Sequence, residues 1–211
     1  MKPPAVPYIA AWQHERIRLA SAPVISTGTG LIYFDGAPER PQDRDDHGVL
    51  WARQDTRPGT GHPRFGAIHT PRQRHAQTHL LCQVCAGPPD ITEAGVLWLL
   101  PGTPPSQSGE EVTTNPPICR PCADTAAHAC PHLRTSHTLM RVKRSAVIGV
   151  FGQRYFRSRP GVAVPRQMDT VPYTDRSALP WIVATQLVRE LIGCTVEAIH
   201  GVADASAYTR P

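Results

Sequence analysis

No apolar run in this chain approaches the ~20 residues that a helix needs to cross a bilayer, which excludes a membrane-spanning helix on sequence grounds. The first thirty residues also lack an unbroken apolar stretch, since Gln13, His14, Glu15, Arg16 and Arg18 interrupt it, so no secretory signal is expected. The expected compartment is therefore the cytoplasm, where cysteines stay reduced. Aromatic residues make up only 6% of the chain, and 20 of its 22 basic residues are arginine, a bias that fits a GC-rich genome better than a function. Carboxylates are missing altogether between Asp124 and Asp169, and histidine is missing from Cys85 to Cys122.

What the chain does have is six cysteines, four of them in two Cys-x-x-Cys pairs, Cys82–Cys85 and Cys119–Cys122. Two residues between thiolates let one tight turn aim both sulfurs at one point about 2.3 Å away, and two such pairs complete a tetrahedral zinc site. The gap between the pairs exceeds the common ~15–20 residues, but the Pro/Gly/Ser-rich segment 101–109 accounts for the excess as a loop. The rest fits a treble clef: a knuckle at 82–85, a hairpin with the strand 95–100, and an alanine-rich helix that begins in the second pair. A redox Cys-x-x-Cys and unligated thiols are the alternatives, but a redox motif needs only one pair. Cys130 and His132 read as a buried thiol and a surface imidazole that could still supplement the site. Cys194 reads as core.

The segment from Cys82 through the hairpin to Asn115-Pro116-Pro117-Ile118-Cys119-Arg120-Pro121-Cys122 resembles the zinc-bearing scaffold of HNH endonucleases, whose catalytic histidines sit on the hairpin and helix. Where that family has Asp-His, this chain reads Thr92-Glu93-Ala94-Gly95. The resemblance thus implies a degenerate scaffold with no general base and no ligand for a catalytic cation. The chain also resembles uncharacterised actinobacterial zinc-knuckle proteins through the knuckle Leu81 to Pro88, a Gly-Val-Leu-Trp strand and Cys130-Pro131-His132-Leu133. That resemblance carries no established activity.

With 211 residues and 40% hydrophobic content, the chain can bury a core as one domain or two small ones, and 23 prolines predict short elements. Residues 1–70 read as an irregular region with a β-hairpin, its strands at 31–34 and 48–52. Thr70-Pro71 predicts the start of a helix that runs to Leu81 and puts Arg72, His75 and His79 on one face. Residues 71–133 form the zinc module. Residues 134–211 read as a basic sheet with strands at 138–143, 146–151, 162–164 and 171–173, packed by a helix over 178–192 whose stripe is Val183, Leu187 and Leu191 and whose stop is Gly193. The expected class is α+β.

Charge is uneven. Residues 81–130 carry one basic residue to five acidic, whereas 131–211 carry eleven to five. The carboxylate-free stretch holds Arg134, Arg141, Lys143, Arg144, Arg154, Arg157, Arg159 and Arg166, with Tyr155 and Phe156 in its densest part. A basic stripe with aromatics among its arginines is the electrostatic footprint of nucleic-acid binding, and a solvated arginine-rich sheet face is the bland counterpart. The leading expectation is a non-catalytic structural-zinc protein that binds nucleic acid through Arg141, Lys143, Arg144, Arg154, Arg157, Arg159 and Arg166. A zinc-stabilised module for a protein partner and a divergent nuclease are the alternatives.

Overall fold

A computed structural model of the chain describes residues 6–17, 24–26, 29–33, 38–102, 109–159 and 161–200, with the side chains of 24–26, 157, 159, 199 and 200 outside the description. The strands at the start are β1 (Ala10–Trp12), β2 (Val24–Ser26), β3 (Leu31–Tyr33), β4 (Leu50–Trp51) and β5 (Pro63–Ile68). Helix α1 (Thr70–His79) leads to β6 (Ile91–Thr92), β7 (Gly95–Pro101) and β8 (Glu110–Thr113). Helices α2 (Arg120–Ala129) and α3 (Pro131–Thr135) precede the long strands β9 (His137–Arg159), β10 (Val162–Pro172) and β11 (Ile182–His200). The class is mixed α+β, rich in strand. Among the described residues no helix is long and apolar enough to cross a membrane.

The described residues divide into two compact units. Unit 1 draws on 1–8, 76–146 and 190–211, and unit 2 on 9–75 and 147–189, so β9 and β11 each supply residues to both. In unit 1, β7 pairs antiparallel with β6 (Ile91↔Val96) and with β9 (Val96↔Val142 to Pro101↔His137). Alternation along β7 then makes two cores, Leu97 and Leu99 on one face with Ile118, Ala123 and Leu139, and Trp98 and Leu100 on the other with Met140, Val142 and Leu191.

In unit 2, β10 pairs antiparallel with β9 (Pro172↔Gly149 to Val162↔Arg159), β4 runs parallel to β11, and β1 pairs with β5. Val49, Trp51, Val150, Val171, Leu179, Ile182, Ala184 and Leu187 make the larger core. Gly152 lies so close to β11 that a Cβ there would meet the Val183 carbonyl oxygen at 2.1 Å, so only glycine permits this strand spacing.

The helix expected over 178–192 is not formed. Residues 179–181 make one 3-10 turn, and β11 follows. The stripe Val183, Leu187, Leu191 has helical spacing, but it starts inside the apolar run 178–184 and is accompanied by β-branched Ile182, Val188 and Ile192. A strand covered on both faces produces such a run, and here Val183 packs into one core while Ile182 and Ala184 pack into another. Gly193, expected as a helix stop, instead sits within β11 at φ 68° with Lys143 Cβ 3.1 Å from where its own Cβ would be. The strand pairs expected at 138–143 and 146–151, and at 162–164 and 171–173, are each one continuous strand. Phe34 and residues 103–108, expected as strand and loop, lie outside the described residues.

Helix α1 does not carry an exposed basic face either. His75 and His79 are exposed, but Arg72 is buried and donates to both carboxylate oxygens of Glu15, at 2.7 and 2.6 Å. The helix is capped by His69 in place of Thr70, since the His69 carbonyl accepts from the Gln73 amide and its ring Nδ1 from the Arg72 amide. That leaves Nε2 to donate to the Asp55 carbonyl at 3.1 Å. Burial and then the Arg72 charge hold the His69 pKa below its usual value, so the ring is neutral. Gln73, fully buried, exchanges two hydrogen bonds with the Leu187 backbone and fastens α1 to β11 within unit 2.

Burial alone would raise the Glu15 pKa, but the Arg72 guanidinium and the Trp12 and Arg57 amides outweigh it and hold the carboxyl at about 2. Stability from this carboxylate is therefore present above its ordinary value of 4.5 and is lost as pH falls toward 2. Glu15→Gln strands the Arg72 charge and should destabilise unit 2 by about 3–5 kcal/mol at neutral pH. Denaturant unfolding as a function of pH checks both points: the variant should show less of the acid-side loss, and equal stability of the two proteins at neutral pH would refute the role given to this pair.

Candidate metal centre

Four sulfurs at 2.3 Å from one zinc stand about 3.8 Å apart at the corners of a tetrahedron. Cys82, Cys85, Cys119 and Cys122 place all their Sγ atoms within 4.8 Å of one another, and Cys85 Sγ lies 3.8 Å from Cys119 Sγ. The donor set is all sulfur and the separations suit a closed four-coordinate site, so these residues fit zinc and would hold it.

Each pair reaches this geometry through local structure. After α1 the chain turns so that the Cys82 amide donates to the Gly87 carbonyl (2.8 Å) and the Ala86 amide to the Cys82 carbonyl (2.9 Å). Ala86 adopts φ 60°, which tightens the turn, and the Val84 amide points at Cys82 Sγ at 3.5 Å. The second pair uses a helix start: Cys119 is the N-cap of α2 in extended backbone, and Cys122 follows in the first turn. Pro121 suits that turn because its missing N–H has no partner to lose there.

The pairs are then joined. The Gln83 amide donates to the Pro117 carbonyl, the Asp90 amide to Ile118, and the Ile118 amide to Leu97, at 2.9–3.1 Å. Cys82 is buried among Leu97, Leu99, Ile118, Ala123 and Leu139, while Cys85 is exposed. Burial pushes the Cys82 and Cys122 thiols up. For Cys85 burial acts the same way, but the Gly87 amide and the neighbouring thiols outweigh it and lower its pKa. Knuckle, hairpin β6–β7 and helix α2 follow in the order expected of a treble-clef-like module. Among the described residues Cys130, His132, His75 and His79 do not join the four-cysteine group.

A charged brace ties both pairs to the sheet of unit 1. Arg141 on β9 is only 7% exposed and donates to Asp90 Oδ1 (2.5 Å), just after the first pair, and to Glu197 Oε2 (3.0 Å) on β11. Glu197 Oε1 accepts in turn from Arg120, which lies between Cys119 and Cys122. Sequence reasoning missed this brace, because its members are 51, 56 and 77 residues apart and no local pattern joins them.

The other basic residues are placed as follows. Lys143 is exposed and donates to the Glu93 carbonyl (2.7 Å), and Arg144 is exposed, both in unit 1. Arg154 lies 3.7 Å from Asp169, and the Arg166 guanidinium is 5.8 Å from the Phe156 ring centroid, both in unit 2. The side chains of Arg157 and Arg159 lie outside the described residues. The seven therefore do not form one group within either unit.

No family model, no curated protein and no solved structure matches this chain. The resemblances to HNH scaffolds and to actinobacterial zinc-knuckle proteins thus have no match behind them.

The purified protein should carry about one zinc per chain, and Cys119→Ser should unfold unit 1 outright, because apparent zinc binding free energies of ~10–16 kcal/mol in such sites are folding free energy. Metal analysis with circular dichroism checks this, and stoichiometric Cys82–Cys85 and Cys119–Cys122 disulfides in reduced preparations would sink it. Glu197→Gln breaks the brace without touching a sulfur. Chelator competition should show zinc held ~10–100-fold less tightly, the usual effect of removing a group that orients metal ligands, and unchanged retention would mean that the brace does not support the site.

Proposed function

We propose that this chain is a non-catalytic protein, its unit 1 stabilised by structural zinc, that binds nucleic-acid phosphates through the basic ribbon of β9 and β10 in unit 2. The observation that supports this most is the asymmetry of the ribbon. One face is packed: Tyr155 and Ala163 lie against Leu31, Tyr33, Leu50, Ala52 and Val183. By alternation the opposite face carries Arg154, Phe156, Ser158, Val164 and Arg166, and Phe156, Ser158 and Arg166 on it are exposed. Between Asp124 and Asp169 the ribbon brings no carboxylate of its own, and Asp169 meets Arg154 only at 3.7 Å. A partly exposed ion pair of that length contributes little and can yield to a phosphate.

Arg141 is left out of the contact set because its guanidinium is buried and committed to Asp90 and Glu197. Within unit 2, Arg154 and Arg166 remain. No catalytic role is assigned: the hairpin carries no histidine, and the four thiols form a closed site with no open position for water. A protein partner is the second reading, favoured by Ile91 on β6 and Val112 on β8, which are 67% and 52% exposed.

Each neutralised phosphate contributes roughly −0.9 to the slope of log affinity against log salt on duplex DNA and −0.7 on single strands. Replacing Arg154 and Arg166 together by alanine should reduce the slope by about 1.5–2 while zinc content and circular dichroism stay unchanged. Fluorescence anisotropy across a salt series checks this. If the wild-type protein binds neither duplex nor single strands at ~50 mM salt, where this electrostatic attraction is strong, the reading is wrong and the protein partner becomes the better account.

A further inference from the structure

The same ribbon face carries more than charge. Phe156 is 44% exposed, and it stands in the middle of the face with Arg154 two residues before it on β9. Across the ribbon Phe156 pairs with Val164, so Arg166 comes next along β10 on the same side. The pairing then slips: Pro165 faces Tyr155, but Met168 faces Gln153, so β10 spends three steps where β9 spends two. This is a β-bulge on a strand that, among the described residues, pairs with β9 alone, and Pro165 is tolerated there because an outer strand can dispense with an N–H. Bulges re-aim side chains, and Arg166 next to this one has its guanidinium over the Phe156 ring, within cation–π reach.

An exposed aromatic ring flanked by guanidinium groups on a sheet face is the arrangement that stacks an unpaired base while cations hold the adjoining phosphates. In a duplex both faces of each base are already stacked on neighbours, and the ring could gain a base face only by forcing two pairs apart. The ribbon is anchored through Tyr155 and Ala163 on its other side, and Phe156 belongs to none of the buried cores of the described residues. We infer that this face binds single-stranded nucleic acid, one base stacking on Phe156 while Arg154 and Arg166 take the phosphates on either side. The inference rests on the nucleic-acid reading above and adds to it the class of ligand and the residue that selects it.

The test compares a labelled homopyrimidine single strand with a duplex of the same length, using the zinc-loaded full chain with Phe156→Ala, Phe156→Tyr and the Arg154→Ala/Arg166→Ala double variant. The wild type should prefer the single strand. Phe156→Ala should lose roughly 5- to 150-fold in single-strand affinity, the range for one stacked base, with an unchanged salt slope. Phe156→Tyr, which keeps the ring, should retain affinity. The double arginine variant should lower the slope. Equal affinity for duplex, or a Phe156→Ala variant as tight as wild type while the arginine variant is weakened, overturns the stacking and leaves phosphate binding in place. Failure of the wild type to bind either ligand overturns both.

Discussion

Everything in unit 1 hangs on four sulfurs meeting at one point. Cys82 and Cys85 lie in the turn after α1, Cys119 and Cys122 begin α2, and 33 residues lie between the pairs. Four thiols within 4.8 Å repel one another once ionised, so the arrangement is favourable only around a cation that compensates their charge. The core around the site is small, with Leu97, Leu99, Ile118, Ala123 and Leu139 against Cys82. Small cores of this kind are commonly supplemented by a metal. A metal held by the four sulfurs would do the work of a larger hydrophobic core.

The second organising constraint is the fate of arginine. Twenty arginines in a short chain suggest a charged surface, yet several are structural. Arg72 is buried on Glu15, Arg53 on Asp43 at 2.6 Å and against the Tyr33 ring, and Arg141 on Asp90 and Glu197. A guanidinium can serve in this way because its planar fork satisfies two or three acceptors at once and its long stem packs against apolar neighbours. The Arg72 and Arg141 pairs link segments more than fifty residues apart, so each acts as a cross-strut. Removing either partner costs more than forming the pair contributes, because the survivor is left charged and buried.

The sequence made the metal site legible because thiol spacing is a local signal: two residues between ligands is a statement about one turn, and the turn forms wherever its neighbours fall. The β7 strand and the α2 helix were legible for the same reason, since alternation and alanine density act over a few residues. The strand β11 was not. Its apolar residues satisfy a helical stripe and a doubly buried strand equally well, and only the presence of packed residues on both sides, Val183 in one core and Ile182 in another, decides between them. The brace from Arg120 through Glu197 and Arg141 to Asp90 was invisible for a related reason, because its partners are brought together by tertiary structure alone.

That same limit bears on how a charge stripe is to be interpreted. A stretch free of carboxylates looks unneutralised along the chain, but folding imports acids from elsewhere, and Asp90 and Glu197 claim Arg141 in this way. Where a strand is packed on both sides, its arginines must find such partners, since a buried charge without one is untenable. Where β9 and β10 pack through Tyr155 and Ala163, the other side holds exposed Phe156, Ser158 and Arg166, which are under no such requirement. Burial of the surrounding strands therefore sorts the stripe into two populations. Arg141, which braces the four-cysteine group, is spent on structure, whereas Arg166 beside Phe156 stays exposed.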